Sequence, residues 1–137
     1  MDWKECCNKR IAKNVTPDLD MIKSLIKSSE NKLKSEDKLI MGSVTAVSKI
    51  SLAYDSLREI LEALSLKKGY KIYNHECYTA FLKEIMKESD KGDEFDEIRR
   101  IRNDVNYYGK DISVEEAEDV ISRIKNLRTF ILNLLKK

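Results

Sequence analysis

From Leu39 onward, Ile40, Val44, Val47, Ile50, Tyr54, Leu57, Leu61 and Leu64 recur at intervals of three and four. This is an apolar stripe about seven turns long, and it predicts a central helix that Gly69 ends. Upstream, Thr16-Pro17-Asp18 joins an N-cap residue to a proline at the first helical position, which predicts a helix starting at Pro17. Leu19, Ile22, Ile26 and Leu33 share its apolar face, with Leu25 beside them, until the polar Ser35-Glu36-Asp37 segment, where the chain is expected to turn back. Trp3 to Lys13 reads as a short amphipathic lead-in.

After Gly69, Tyr70 to Tyr73 predicts a loop, and Asn74 is suited to cap a helix through Cys77, Phe81, Leu82, Ile85 and Met86. The cluster Ser89-Asp90-Lys91-Gly92-Asp93 is expected to break that helix. A fourth helix should run from about Glu94 through Tyr107 and stop at Gly109, the residue type best able to adopt the left-handed C-cap conformation. Ser113-Val114-Glu115-Glu116 then forms a capping box for a last helix carrying Val120, Ile121, Ile124, Leu127, Ile131 and Leu134. The expected fold is all-α, an antiparallel helical bundle of four to five helices, with residues 1–137 forming a single domain.

Composition supports this reading. A chain of 137 residues is long enough to bury one sizeable core. Its hydrophobic fraction of 42%, charged fraction of 36%, four Gly and one Pro describe a folded helical protein with little support for strands. Net charge is +2, so no global field draws the protein to nucleic acid or an anionic membrane, and any polyanion site must be local. The N-terminal residues lack the features of a signal peptide, and the longest uncharged run, Leu39 to Ser48, is about half of what a bilayer span requires. A cytoplasmic protein with no membrane association is expected. Cys6, Cys7 and Cys77 are odd in number and form no CxxC pair, which predicts free thiols and no structural disulfide.

The chemistry concentrates on the fourth helix. Ile98, Ile101, Val105 and Tyr108 follow steps of three, four and three, so they should face the bundle. Arg99, Arg102, Asn103, Asn106 and Tyr107 gather two guanidiniums, two amides and a phenol on the opposing side. A merely solvated face is usually Lys and Glu, whereas Asn sits mid-helix at some cost. Arg offers a planar fork of donors that suits a phosphate, and Asn can orient it or contact a ribose or base.

The segment Arg102-Asn103-Asp104-Val105-Asn106-Tyr107-Tyr108-Gly109 resembles the signature helix of the HEPN domain family. In that family an Arg is followed by four to six residues and then a His, with Asn commonly beside the Arg and an aromatic nearby. The long helical pair, Ala53-Tyr54-Asp55, Gly69-Tyr70-Lys71 and the terminal helix are also similar to small prokaryotic and archaeal HEPN proteins, so the resemblance covers most of the chain. It implies an antiparallel bundle that dimerises around the motif helix. It also implies a place among metal-independent RNases, toxins paired with small nucleotidyltransferases, or inactive nucleotide-binding and scaffold versions. The departure is the His: Tyr107 and Tyr108 stand where it would be. A phenol with a pKa of about 10 is poorly matched to the proton exchange that a His performs near neutrality.

The lone His75 lies at the start of the third helix, where the ordinary reading is a partly buried polar residue and the functional one is a replacement base. His75, Cys77 and the Cys6-Cys7 pair form at best a weak zinc set, because adjacent cysteines are awkward ligands for one tetrahedral ion. The six tyrosines are dispersed, and of these only Tyr107 falls on the polar face. Lys67, Lys68 and Lys71 form a small basic cluster at a helix end. No Gly-rich phosphate loop, paired-carboxylate signature or nucleophile with a placed base is present.

A non-cleaving module for RNA, nucleotide or protein recognition therefore ranks first. It is expected to act as a homodimer through the motif helix, with Arg99, Arg102, Asn103, Asn106 and Tyr107 as the contact set and no cofactor or metal. The alternative is a metal-independent endoribonuclease or toxin component, partnered by a nucleotidyltransferase, in which Arg102, Tyr107 and His75 carry the chemistry. A third reading makes the Arg and Asn side chains interhelical or dimer hydrogen-bonding groups.

Overall fold

The computed structural model describes residues 1–137. It comprises six helices and a two-stranded sheet in the order α1 (Trp3–Asn8), β1 (Ala12–Asn14), α2 (Leu19–Lys38), α3 (Ala46–Lys67), β2 (Tyr70–Ile72), α4 (Glu76–Ala80), α5 (Ser89–Tyr107) and α6 (Val114–Lys136). A π-helical turn, Phe81–Ile85, extends α4. The four long helices run alternately up and down, as interhelical side-chain pairs establish. Ser29 with Ser56 and Glu36 with Lys49 make α2 and α3 antiparallel; Ser51 with Asn106 joins the start of α3 to the end of α5; Glu94 with Arg123 sets α5 against α6. Helix α3 lies at the centre, with Ile50, Ala53, Tyr54, Leu57, Ile60, Leu61 and Leu64 fully buried. No helix is long and apolar enough to cross a membrane.

Several helix ends differ from expectation, each for a local reason. Helix α2 starts at Leu19 because Asp18, not Thr16, is its cap: its carboxylate accepts from the Met21 amide at 3.1 Å, and Pro17 stays outside. Leu19 is consequently exposed. The same helix runs through Ser35-Glu36-Asp37, because Glu36 is buried and paired with Lys49 at 3.4 Å and Lys125 at 2.9 Å. Lys49 also donates to the Glu36 carbonyl at 2.6 Å and to that of Leu39, which satisfies the end of α2. The central helix then begins at Ala46, not near Leu39, leaving Ile40 at 87% and Val44 at 91% exposure. Gly69 does end it, at φ 91°.

The segment expected as the loop Tyr70 to Tyr73 contains β2, which pairs antiparallel with β1 in the register Ala12↔Ile72, Lys13↔Lys71 and Asn14↔Tyr70. An expectation of few strands thus misses one short ladder, in which only Tyr70 and Ile72 of six residues favour strands, so local propensity gives little sign of it. Trp3 of α1 packs edge-on against Tyr70 with centroids 5.1 Å apart and also meets Phe81, which draws the lead-in onto the sheet and the π turn. Helix α5 starts at Ser89 instead of Glu94. The break comes at Lys87, at φ 58°, and the Ser89–Asp93 cluster lies inside the helix. Gly92 permits the close crossing of α5 over α4: a Cβ there would sit 3.1 Å from the Thr79 carbonyl oxygen and against the Lys83 side chain. The Ser113 capping box forms as expected, with the Glu116 amide donating to the Ser113 hydroxyl at 3.1 Å.

The thiol expectation is overturned. Cys6 and Cys77 form a disulfide with Cα atoms 6.1 Å apart, tying α1 to α4, and only Cys7 is free and exposed. The pairing escapes the spacing argument because 71 residues separate the two cysteines and the β1–β2 ladder brings them together. The two sulfurs are thereby taken from the zinc set considered with His75 and Cys7. The inference of a reducing compartment from free thiols loses its support as well.

Candidate recognition site on helix α5

Helix α5 presents Arg102 toward α3, and the neighbours of that guanidinium define the site. Its Cζ lies 4.9 Å from the centre of the Tyr54 ring and 5.1 Å from that of Tyr107, so two aromatic faces hold it. One amino group donates to the Tyr107 hydroxyl at 2.9 Å and approaches the Asn103 carbonyl oxygen at 3.5 Å. The Nε group is buried without a hydrogen-bond partner, and no carboxylate pairs with the side chain. Neighbouring arginines differ: Arg99 binds Asp96 at 2.9 Å, Arg100 shares that carboxylate at 2.9 Å, and Arg58 pairs with Glu62 at 3.3 Å. Arg102 is therefore the one guanidinium of this cluster whose charge is left uncompensated by an ion pair.

Tyr54 positions the site from beneath. It is fully buried, stacked on Phe95 with centroids 6.1 Å apart, while Tyr78 meets Phe95 edge-on. Desolvation raises the Tyr54 pKa above the usual phenol value, against the lowering effect of Arg102, so its hydroxyl stays protonated. That hydroxyl is 3.0 Å from His75 Nδ1. The His75 ring centroid lies 5.7 Å from the ring of Tyr54, and the same tyrosine thus touches both Arg102 and the lone histidine. Burial, then the positive charges of Arg58 and Arg102, lower the His75 pKa to about 4 despite the opposing charge of Asp55. The imidazole is neutral near pH 7.

The predicted contact set divides on this geometry. Arg102, Asn103 and Tyr107 cluster as expected, with Tyr107 largely exposed. Arg99 faces the same side but is engaged by Asp96. Asn106 is turned to α3, donating to the Ser51 hydroxyl at 3.0 Å while its carbonyl oxygen accepts from the same group at 3.1 Å. That amide joins two helices, as the third, structural reading of the sequence requires for this residue alone. On the opposite side Ile98 and Val105 are buried, whereas Tyr108 is 80% exposed because α5 has already ended at Tyr107.

Sequence reasoning missed Ser51, Tyr54 and Arg58 as parts of this face. A signal existed: Ser51, Asp55 and Arg58 follow steps of four and three, a polar line that runs beside Tyr54 on the central helix. His75 was considered, but its proximity to Arg102 depends on how α4 folds back on α3. Compared with known protein families, curated proteins and solved structures, the chain shows no match.

Proposed function

We propose that this protein is an RNA-binding module whose α5 face holds a backbone phosphate on Arg102, with Asn103, Tyr107 and His75 around it. One observation carries the reading: an arginine without an ion-pair partner, clamped between two aromatic rings, with a buried and unpartnered Nε. A buried donor without a partner costs about 1–3 kcal/mol, and a guanidinium carrying that cost gains charge-assisted hydrogen bonds by turning toward an anion. The exposed Tyr107 ring offers a stacking surface for an adjacent base. The HEPN resemblance of the Arg102–Gly109 segment points to the same ligand class and to a homodimer. Ser51–Asn106 bonding joins the start of α3 to the end of α5, and the exposed Val47, the exposed Val44 just before α3, and the exposed Tyr107 and Tyr108 are apolar groups available to a second copy.

A second reading, metal-independent RNA cleavage, is favoured by the position of His75 beside Arg102, which supplies an imidazole absent from α5. A base held at a pKa of about 4 is weak at neutral pH, so recognition ranks above turnover. Fluorescence anisotropy with single-stranded RNA in EDTA, followed by product analysis, distinguishes the two readings. Wild type should bind with a log–log salt slope of about −0.7 for the one phosphate held, and Arg102→Gln should weaken binding ten- to a hundredfold, the loss of about 1.5–3 kcal/mol expected for charge-assisted contacts. Products that depend on both Arg102 and His75 would replace recognition by cleavage. Absence of binding by the folded wild-type protein would end both readings.

A further inference from the structure

We propose that His75 is a second phosphate contact of the Arg102 face, oriented by Tyr54 and taking up a proton as the anion arrives. The inference rests on the RNA-binding reading above and adds to it a coupling between binding and pH. Its basis is placement. The fully buried Tyr54 fixes two groups at once, with Arg102 Cζ 4.9 Å from its ring centre and His75 Nδ1 3.0 Å from its hydroxyl. With Nδ1 engaged by Tyr54, Nε2 is the nitrogen left to meet a ligand, and His75 makes no other side-chain hydrogen bond within the chain.

The charges around His75 come from three helices. Helix α3 contributes Arg58 and Asp55, α5 contributes Arg99 and Arg102, and on α4 itself the neighbours are Glu76, which faces the N-terminal amino group at 3.6 Å, and the buried phenol of Tyr78. Cys77 is in the disulfide and does not titrate. Arg58 and Arg99 are partly neutralised by Glu62 and Asp96, whereas Arg102 is not. Arg102 thus lacks a paired negative charge, and burial with the surrounding guanidiniums outweighs the opposing charge of Asp55 and keeps His75 neutral down to a pKa of about 4. A phosphodiester against Arg102 supplies that charge. It removes the repulsion that opposes the imidazolium and lets Nε2 become a charged donor to a phosphate oxygen.

The direction of the pH effect follows from linkage. If the bound imidazole regains the ordinary histidine value of 6.5 from about 4, the complex holds a proton that the free protein lacks throughout that interval. Affinity is then flat above the bound-state value and rises as pH falls below it. Between pH 7.5 and 5.5 the gain is about tenfold.

The test uses a ten-nucleotide oligouridylate without terminal phosphates, whose phosphodiesters and bases do not titrate in this range. Anisotropy titrations at pH 7.5 and 5.5 are paired with NMR of the imidazole, which is unambiguous because His75 is the chain's one histidine. Wild type should bind about tenfold more tightly at the lower pH, and RNA should move the His75 titration upward by a unit or more. His75→Gln should lose the pH dependence. Tyr54→Phe, which keeps the ring beneath Arg102, should blunt it and flatten the ligand-induced titration shift. Binding that is equally tight at both pH values, or an imidazole that titrates alike with and without RNA, overturns the coupling while leaving RNA recognition in place. A folded wild-type protein that binds at neither pH refutes the recognition reading itself and the coupling with it.

Discussion

Reducing the Cys6–Cys77 disulfide is the perturbation whose outcome separates most sharply the free-thiol expectation from the observed structure. The bond closes a loop with a sequence separation of 71 residues, far longer than the loop of a local clip. Loop-closure entropy for that length makes the crosslink worth about 4 kcal/mol through restriction of the unfolded chain. Against a typical domain stability of about 5–15 kcal/mol, this is a large share. Thiol titration of the denatured, unreduced protein should find one reactive group, Cys7, and three after reduction. Urea unfolding of the oxidised protein and of the Cys6→Ser/Cys77→Ser variant should then differ by about 3–4 kcal/mol. Amide exchange should quicken first in residues 1–15, because Cys6 is the one buried residue of α1. Three free thiols in the oxidised preparation, or unchanged stability in the double variant, would refute the crosslink and restore the reading made from cysteine spacing.

Three further outcomes follow from the same geometry. The His75 pKa of about 4 lies below its unfolded value of 6.5, so the unfolded chain binds the extra proton between these values and stability falls as pH drops through that window. With solvent screening of a part-exposed ring, wild type should lose about 1–2 kcal/mol more than His75→Gln between pH 7 and 4.5 in urea titrations; equal losses would contradict the shift. Lys49→Met strips the buried Glu36 carboxylate of one partner, removes the donor to the Leu39 carbonyl and leaves the Glu36 carbonyl with the Leu39 amide alone, and should cost about 3–5 kcal/mol in the same assay, against less than about 1 kcal/mol if Lys49 were solvated. Gly92→Ala adds a methyl group against the Thr79 carbonyl and the Lys83 side chain, and should lower stability by about 1 kcal/mol despite the better helix propensity of alanine, whereas a gain in melting temperature would show that α4 gives way freely.

Where the chain carries helical periodicity at sufficient length, the elements were legible. The buried stripe Ile50, Tyr54, Leu57, Leu61 and Leu64, the stop at Gly69 and the Ser113 capping box all follow from spacing and cap chemistry. Element ends were less legible, and the misplacements around residues 35–46 share one cause. Glu36 falls in the polar segment expected to turn the chain, yet it is buried and paired with the equally buried Lys49. A polar residue marks a turn only if water is its partner, and a sequence does not state whether the partner is water or a lysine 13 residues away. Apolar residues fail in the mirror sense: Ile40 and Val44 continue the period of α3 but lie before Thr45, where the chain is not helical.

The candidate site divides along the same line. Arg102, Asn103 and Tyr107 are five positions apart at most on one helix, so a period of 3.6 residues suffices to group them. Tyr54 and His75 join them through tertiary placement. The first arrives because α3 is antiparallel to α5, and the second because the Cys6–Cys77 bond and the β1–β2 ladder anchor the start of α4 beside α3. Helical spacing therefore reaches Arg102 but not the aromatic ring packed on it or the imidazole hydrogen-bonded to that ring's hydroxyl. The same spacing groups Asn106 with Arg102, Asn103 and Tyr107, and in the structure that amide bonds Ser51 across the helix pair on which Arg102 is mounted. The polar side chains of this one helix face differ in whether each finds its partner within the chain: Asn106 and Arg99 do, whereas the Nε of Arg102 does not.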